Sequence, residues 1–123
     1  MPAAVHEAAR VLRPGRHFCV SVTHPMNDAG IFESTDPNAA FVIRGSYFGR
    51  RPFEGHLERD GLQMTFRGWM YALEDYFRAL EAAGFVVERL REPAATEEAA
   101  AWQPGFRRWQ RVPMFLQLRA VKR

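Results

Sequence analysis

The chain has 123 residues, 47% of them apolar and 13% aromatic, and a formal charge of +3 at pH 7. This composition excludes an intrinsically disordered protein and suffices for one domain with its own core, so we expect a single domain over residues 1–123. No apolar stretch is long enough to span a bilayer and the first residues do not resemble a signal peptide, which favours a cytoplasmic protein.

Residue types that commonly build redox or metal sites are sparse. The single cysteine, Cys19, has no partner for a disulfide, which indicates a reducing compartment. It lies in an apolar strand pattern, so we expect it to be a small buried hydrophobic residue. His6, His17 and His56 have no carboxylate or thiol at metal-ligand spacing, and we therefore expect no metal site.

The first stretch predicts a helix that passes to a strand through a sharp corner. Apolar residues over 3–12 have near-helical spacing, and Pro14-Gly15 prevents the helix from continuing. Residues 17–23 then alternate between apolar and small polar side chains, as a strand does. His24-Pro25 ends that strand.

The next stretch predicts a loop followed by a small β-meander. Residues 26–40 are rich in polar and turn-forming residues, whereas 41–48 have the composition of a strand. Asp60-Gly61 stands between two further short runs and is a strong hairpin signal, because both turn positions need a positive φ. We therefore expect an antiparallel meander or hairpin over 41–66, separate from the main sheet.

The last third predicts a helix, a strand, a short helix and a final strand. A helical apolar stripe runs over 69–83 and Gly84 fits the left-handed stop that follows a helix. The remaining predicted elements are a strand over 85–91, a short helix over 94–102 and a last strand over 114–121.

Three motifs resemble one enzyme family. Glu7-Ala-Ala-Arg-Val-Leu-Arg-Pro-Gly15 is similar to the joint that leads into the fifth strand of class I S-adenosylmethionine-dependent methyltransferases (methyltransferase type 11-like). The second glycine usual there is Arg16 here. Leu80-Glu-Ala-Ala-Gly-Phe85, followed by Glu92-Pro93, resembles the exit of the family's last large helix into its sixth strand. The segment from Arg111 to Leu116 resembles the approach to the final strand.

The resemblance covers nearly the whole chain but only the second half of the family's fold. It implies an α/β protein, the C-terminal part of a Rossmann-like methyltransferase fold, with a small mixed sheet and packed helices. The last strand would be antiparallel and central, between 17–23 and 85–91. The inserted hairpin would cover the acceptor pocket or make subunit contacts. Because the chain would begin between two elements of one unit, we expect a fragment.

The cofactor side of such an enzyme is missing from the sequence. The intact family uses S-adenosylmethionine, held at a glycine-rich turn after the first strand. The nine glycines here form no G-x-G pattern after a strand. We therefore expect that this chain alone does not bind the cofactor.

The resemblance places acceptor-site candidates at His24, Tyr47, Arg67 and Trp69. His24 follows a strand at the end where open α/β sheets bind ligands. The other three belong to the insertion and the entrance of the following helix, where aromatic rings could stack on a planar substrate. Each also has an ordinary structural interpretation. No serine or cysteine stands in a recognisable catalytic arrangement, and no catalytic residue is assigned.

Three hypotheses about function follow. The first is the acceptor-binding half of a methyltransferase, inactive as a free chain. The second is a dimerisation or partner-binding module: the strand at 17–23 would present a bare edge, which favours a homodimer or pairing with a separate N-terminal half. The third is a basic nucleic-acid-binding fragment, and it depends only on the C-terminal cations Arg107, Arg108, Arg111, Arg119, Lys122 and Arg123.

Overall fold

The computed structural model describes residues 1–123, which form α-helices, β-strands and one 3₁₀ helix. In chain order the elements are α1 Pro2–Val11, β1 His17–Thr23, α2 Pro25–Ala29, β2 Gly30–Phe32, β3 Phe41–Ile43, β4 Arg51–Arg59, β5 Leu62–Met70, α3 Leu73–Ala82, β6 Phe85–Arg91, α4 Glu97–Trp102, the 3₁₀ helix Pro104–Gln110 and β7 Phe115–Lys122. None of the helices is long and apolar enough to cross a membrane.

The main sheet has three strands in the order β1-β7-β6, with β7 antiparallel to both neighbours. The prediction of a central, antiparallel last strand is confirmed. Thr23 at the end of β1 lies opposite Phe115, and Arg91 at the end of β6 lies opposite Gln117. The carboxyl ends of β1 and β6 therefore reach the same edge of the sheet, which we call the carboxyl edge.

One face of this sheet carries the core. Helices α1 and α3 pack against each other and against the side chains that β7 directs towards them. Leu116 is fully buried and Leu80 of α3 is 2% exposed. The remaining core residues are Val5, Ala9, Tyr71, Tyr76, Phe85, Leu118 and Ala120. The predicted joint around Gly15 is confirmed, and Lys122 closes it by donating hydrogen bonds to the carbonyls of Ala9 and Leu12 at the end of α1.

The other face of the sheet has no covering helix. Cys19 points to it and is exposed, so the prediction that Cys19 is buried is wrong. On the same side of β7, Phe115 is 45% exposed and Gln117 is exposed. The reason is the alternation of the strands: Phe18, Val20 and Val22 face the helices, which leaves the residues between them on the open side.

The polar passage after β1 is more structured than predicted. The expected loop over 26–40 contains α2 and β2, and β2 pairs with β3. The two strands can approach this closely because Gly30 has no side chain: a Cβ at this position would lie 2.5 Å from the carbonyl oxygen of Val42. The strand predicted over 41–48 ends at Ile43, because Gly45 and Gly49 adopt positive φ and bend the chain.

The antiparallel insertion predicted as a meander or hairpin over 41–66 contains a long hairpin. The turn at Asp60-Gly61 is confirmed, with φ of 55° and 76°. Its strands β4 and β5 have nine residues each and pair from Arg51 opposite Met70 to Arg59 opposite Leu62. The hairpin is separate from the main sheet, as predicted, but it extends beyond residue 66, and β3 belongs to a different pair of strands.

The main helix begins later than its apolar stripe predicts. Trp69 and Met70 pair with β4, so α3 starts at Leu73. The Asp75 carboxylate accepts a hydrogen bond from the Ala72 backbone N–H at 2.9 Å and closes the first turn. The helix ends as predicted before Gly84, which has a φ of 79°.

The predicted strand over 85–91 and the short helix are confirmed, although the helix starts at Glu97 after its N-cap Thr96. The sequence analysis missed the 3₁₀ helix that follows. Trp109 in that helix packs edge-on against Phe32, with ring centroids 4.9 Å apart. This contact joins the β2–β3 pair to the C-terminal segment.

Candidate functional site

His24 is buried at the carboxyl edge, immediately after β1. Its Nδ1 accepts a hydrogen bond from the backbone N–H of Met26 at 3.0 Å. Its Nε2 therefore carries the proton and donates it to Oε1 of Glu92, 2.9 Å away, just after β6. The predicted end of β1 at His24-Pro25 is confirmed, and Pro25 starts α2.

This geometry gives His24 a positioning role. Both ring nitrogens are occupied by partners within the chain, so the imidazole is not free to take a proton from a bound molecule. The hydrogen bond to Glu92 ties the carboxyl end of β1 to that of β6, across the start of β7. His24 thus fixes the position at which α2 leaves the sheet.

Asp28 is the titratable group that α2 brings to this edge. Its backbone N–H donates to the His24 carbonyl at 3.0 Å, which places the side chain one turn beyond the histidine. Burial raises the pKa of the Asp28 carboxyl, and the nearby Arg51 and His24 side chains only partly offset that shift. A half-buried carboxylate with a raised pKa, at a sheet edge, is a common feature of functional sites.

Tyr76 lies near Asp28 and packs against a second tyrosine, Tyr71. Burial raises the pKa of Tyr76 to about 12, with smaller contributions in the same direction from Asp28, Tyr71 and Asp75. The rings of Tyr71 and Tyr76 meet edge-on with centroids 6.1 Å apart. Both rings are buried in the core, and the Tyr71 hydroxyl accepts a hydrogen bond from the N-terminal amine of Met1 at 3.2 Å.

Arg51, the first residue of β4, adds a cation to the same place. Its Nε and Nη2 atoms are buried and have no hydrogen-bond partner. Asp28 and Arg51 influence each other electrostatically without forming a direct ion pair. We call Asp28, Arg51, Tyr71 and Tyr76 the edge cluster. It combines the half-buried polar groups of Asp28 and Arg51 with the buried phenol rings of Tyr71 and Tyr76.

The other predicted acceptor residues lie in different surroundings. The Tyr47 hydroxyl accepts a hydrogen bond from the Leu73 backbone N–H at 2.9 Å and so supports the start of α3. On the exposed hairpin, Arg67 donates to Oε2 of Glu54 at 2.7 Å. Trp69 lies two residues further along β5, with the Arg50 guanidinium 3.5 Å from its ring centroid. None of these three residues forms a hydrogen bond with His24.

Arg67 and Trp69 do share one surface. With Pro52, Phe53, Glu54 and Gly68 they line a shallow groove of about 540 Å³ on the hairpin. Because this groove is formed by a single pair of strands, it is open to solvent. It belongs to the hairpin and not to the edge cluster.

Sequence reasoning missed most of the edge cluster. Asp28 is visible in the sequence as a carboxylate shortly after His24, but no sequence pattern assigned a role to Tyr71, Tyr76 or Arg51. The Glu92-Pro93 motif could have indicated that Glu92 lies near His24, because a residue that follows β6 must lie at the same edge of the sheet as one that follows β1. Arg51 gives no such signal, because only the hairpin's fold brings it to α2.

The C-terminal cations do not form one basic surface. Arg111 donates to the carbonyls of Pro37 and Ala39, and Arg108 lies over the rings of Phe32 and Trp109. Arg107 and Arg119 lie within 3.7 Å and 3.3 Å of carboxylates, and Lys122 caps α1. Most of the charges behind the nucleic-acid hypothesis thus have partners within the chain.

Comparison with known proteins identifies the fold. No protein-family model and no curated protein matches the sequence. An S-adenosylmethionine dependent methyltransferase from Mesorhizobium loti superposes with a TM-score of 0.70 and 21% identity, over 98% of this chain and 54% of that chain. A second structure, from Listeria monocytogenes, has been provisionally assigned to the same enzyme class. It superposes with a TM-score of 0.77 and 20% identity, over 100% of this chain and 55% of that chain.

The chain therefore has a methyltransferase-like fold and matches the C-terminal part of these structures. It spans about half of their length. The predicted fold class is confirmed.

The residues of this chain do not fit a site for S-adenosylmethionine. Such a site needs a glycine turn between a strand and the helix that follows it. Of the glycines with positive φ, Gly15 and Gly84 follow helices, Gly61 lies in the hairpin turn, and Gly45 and Gly49 lie between strands. The junctions from β1 to α2 and from β5 to α3 contain no glycine.

Proposed function

We propose that this chain supplies the acceptor-binding side of an S-adenosylmethionine-dependent methyltransferase, and that residues outside it supply the cofactor side. The observation that carries the proposal is the edge cluster, a set of polar groups at the carboxyl edge of a methyltransferase-like sheet. As a free chain it transfers no methyl group. It acts in the cytoplasm, where its exposed Cys19 stays reduced.

Each member of the edge cluster has a defined role in this proposal. The Asp28 carboxylate accepts a hydrogen bond, and then the proton, from the hydroxyl or amine that is to be methylated. The unpaired guanidinium of Arg51 holds an oxygen or an anionic group of the acceptor. Tyr71 and Tyr76 are buried in the core and give the Asp28 side of the site a rigid support.

The four acceptor-site candidates from the sequence contribute to this site in different ways: two position its elements and two lie outside it on the hairpin. They are His24, Tyr47, Arg67 and Trp69. His24 positions α2, and thereby Asp28, through its bond to Glu92. Tyr47 positions the start of α3, which carries Tyr76. Arg67 and Trp69 would contact only an acceptor that extends from the edge cluster onto the hairpin groove.

The unpaired edge of β1 supports the second part of the proposal. β1 pairs with β7 alone, so its other edge offers unpaired backbone N–H and C=O groups. A separate N-terminal half that carries the cofactor site would add its last strand there.

A two-part experiment tests the proposal. Calorimetric titration of the purified chain with S-adenosylmethionine and S-adenosylhomocysteine is expected to give no binding heat. Binding at micromolar strength would mean that a cofactor site exists without a glycine turn, and the proposed division would be wrong.

The second part tests the acceptor side. Phenol, a minimal hydroxyl-bearing probe, is titrated into isotope-labelled chain and followed by NMR. We expect the largest shift changes at Asp28, Tyr71 and Tyr76, and weaker binding in Asp28→Asn. Shift changes confined to the hairpin groove, or equal binding by Asp28→Asn, would contradict the assigned site.

A further inference from the structure

The two faces of the β4–β5 hairpin differ in chemistry along most of their length. The register places Phe53, Leu57, Leu62, Met64 and Phe66 on one face, which we call the apolar face; Arg51 and Met70 lie at its base and Arg59 at its tip. The opposite, polar face carries Glu54, His56, Glu58, Gln63, Thr65 and Arg67, with Pro52 and Trp69 at its base. Such an alternation is typical of an antiparallel sheet that has one face in solvent and the other packed against a second surface.

Several side chains of the polar face already have partners within the hairpin. Arg67 and His56 both contact the Glu54 carboxylate, at 2.7 and 3.1 Å. The hydroxyl of Thr65 is 3.1 Å from Nδ1 of His56. These bonds fix the hairpin and leave few groups on this face in need of a partner.

The apolar face has no cover within the chain. Its five large side chains are between 36% and 67% exposed. A hairpin of nine-residue strands is about 30 Å long, and two strands alone are marginally stable in water. Five exposed apolar side chains on one side of an isolated hairpin form a patch of the kind that marks an interaction site.

We propose that the apolar face is a homodimer interface, in which the hairpins of two copies pack face to face about a two-fold axis. At about 200 Å² for a fully exposed side chain of this size, the exposed fractions amount to roughly 500 Å² per chain. Two copies would together remove about 1,000 Å² from water, which is the lower limit for a specific interface. The dimer is therefore weak and dissociates at low concentration.

The shape of the face suits an antiparallel pair of hairpins. Phe66 lies opposite Gly55 in the middle of the hairpin, and Phe53 lies opposite Gly68 two residue pairs nearer its base. The Phe53 ring covers Gly55, whereas the space next to the Cα of Gly68 is empty. With the axis near Phe66, the Leu57–Met64 pair of one copy lies over the gap at Gly68 of the other.

Sedimentation over about 1 to 200 μM tests the interface, because a weak dimer shows a concentration-dependent mass in that range. We expect Phe66→Lys to raise the dimer Kd at least about tenfold, since it places a charge at the centre of the buried surface. The matched control, Gln63→Lys, adds the same charge to the polar face, and its Kd should stay within about twofold of the native value.

The outcomes separate the possible occupants. A native chain that remains monomeric throughout would overturn the proposal. So would a dimer that survives Phe66→Lys but is lost in Ser21→Pro, because Ser21 lies in β1 and its proline variant blocks association through the bare sheet edge. Thermal unfolding at low concentration checks that Phe66→Lys remains folded, since the residue is exposed in the single chain.

Discussion

The β1-β7-β6 sheet and the β4–β5 hairpin are both antiparallel, yet they are stabilised in different ways. The sheet is held by burial: α1 and α3 exclude water from Leu80 and Leu116. The hairpin is held by its own backbone ladder, its turn and a few cross-strand polar bonds, while its large apolar side chains stay exposed. Similar hydrogen-bonding patterns therefore serve a rigid scaffold in one place and a surface available for contact in the other.

The strongest test of this difference is to shorten one apolar side chain in each region. Leu116→Ala should reduce the free energy of unfolding by about 2–5 kcal/mol, because it leaves a cavity at a fully buried position. Leu62→Ala, at the hairpin tip, should change it by less than about 0.5 kcal/mol at low concentration. Urea unfolding measures both. Equal losses would mean that the hairpin is part of the core.

The next effect concerns the edge where the sheet meets α2. His24→Ala should cost about 1–3 kcal/mol, because it removes the partners of the Met26 N–H and of Glu92. Glu92→Gln keeps an amide oxygen that can accept the Nε2 proton, so its cost should be below about 1 kcal/mol. If Glu92→Gln costs as much as His24→Ala, charge rather than hydrogen bonding holds this edge together.

A smaller, local effect is expected at the hairpin turn. Gly61 has a φ of 76°, and a valine there would cost about 1–2 kcal/mol. We expect Gly61→Val to speed amide hydrogen exchange in β4 and β5 by about 5- to 30-fold. Exchange in β7 should not change. Equal acceleration in β7 would show that sheet and hairpin open as one unit.

The smallest effect is a gain in stability at Asp28. Burial raises the pKa of its carboxyl above the ordinary value of 3.8, so the folded state disfavours the ionised form. The resulting penalty grows as the pH rises from that value through the folded pKa, and persists at neutral pH. Asp28→Asn should therefore raise Tm by about 1–3 °C at pH 7. The two proteins should melt alike near pH 3, where the carboxyl is protonated in both states; a difference that persists there would point to packing instead.

The sequence by itself determined the features that depend on near neighbours in the chain. Pro14-Gly15 ends α1, Asp60-Gly61 turns the hairpin and Gly84 ends α3, because each fixes the backbone angles at its own position. The strand alternation over 17–23 followed from the same local geometry. The three family-like motifs also indicated the order of strands in the main sheet.

Only the tertiary structure decided which surfaces are covered and which distant residues meet. Alternation gives a strand two faces but does not say which one receives a helix, and for this reason Cys19 is exposed. Trp69 extends β5 instead of starting α3, because pairing with β4 outweighs its helical spacing. The edge cluster arises in the same way: Asp28, Arg51 and Tyr76 are far apart in the sequence, and only the tertiary fold, with the hairpin in contact with α2, brings the Arg51 guanidinium and the Tyr76 hydroxyl near the Asp28 carboxyl.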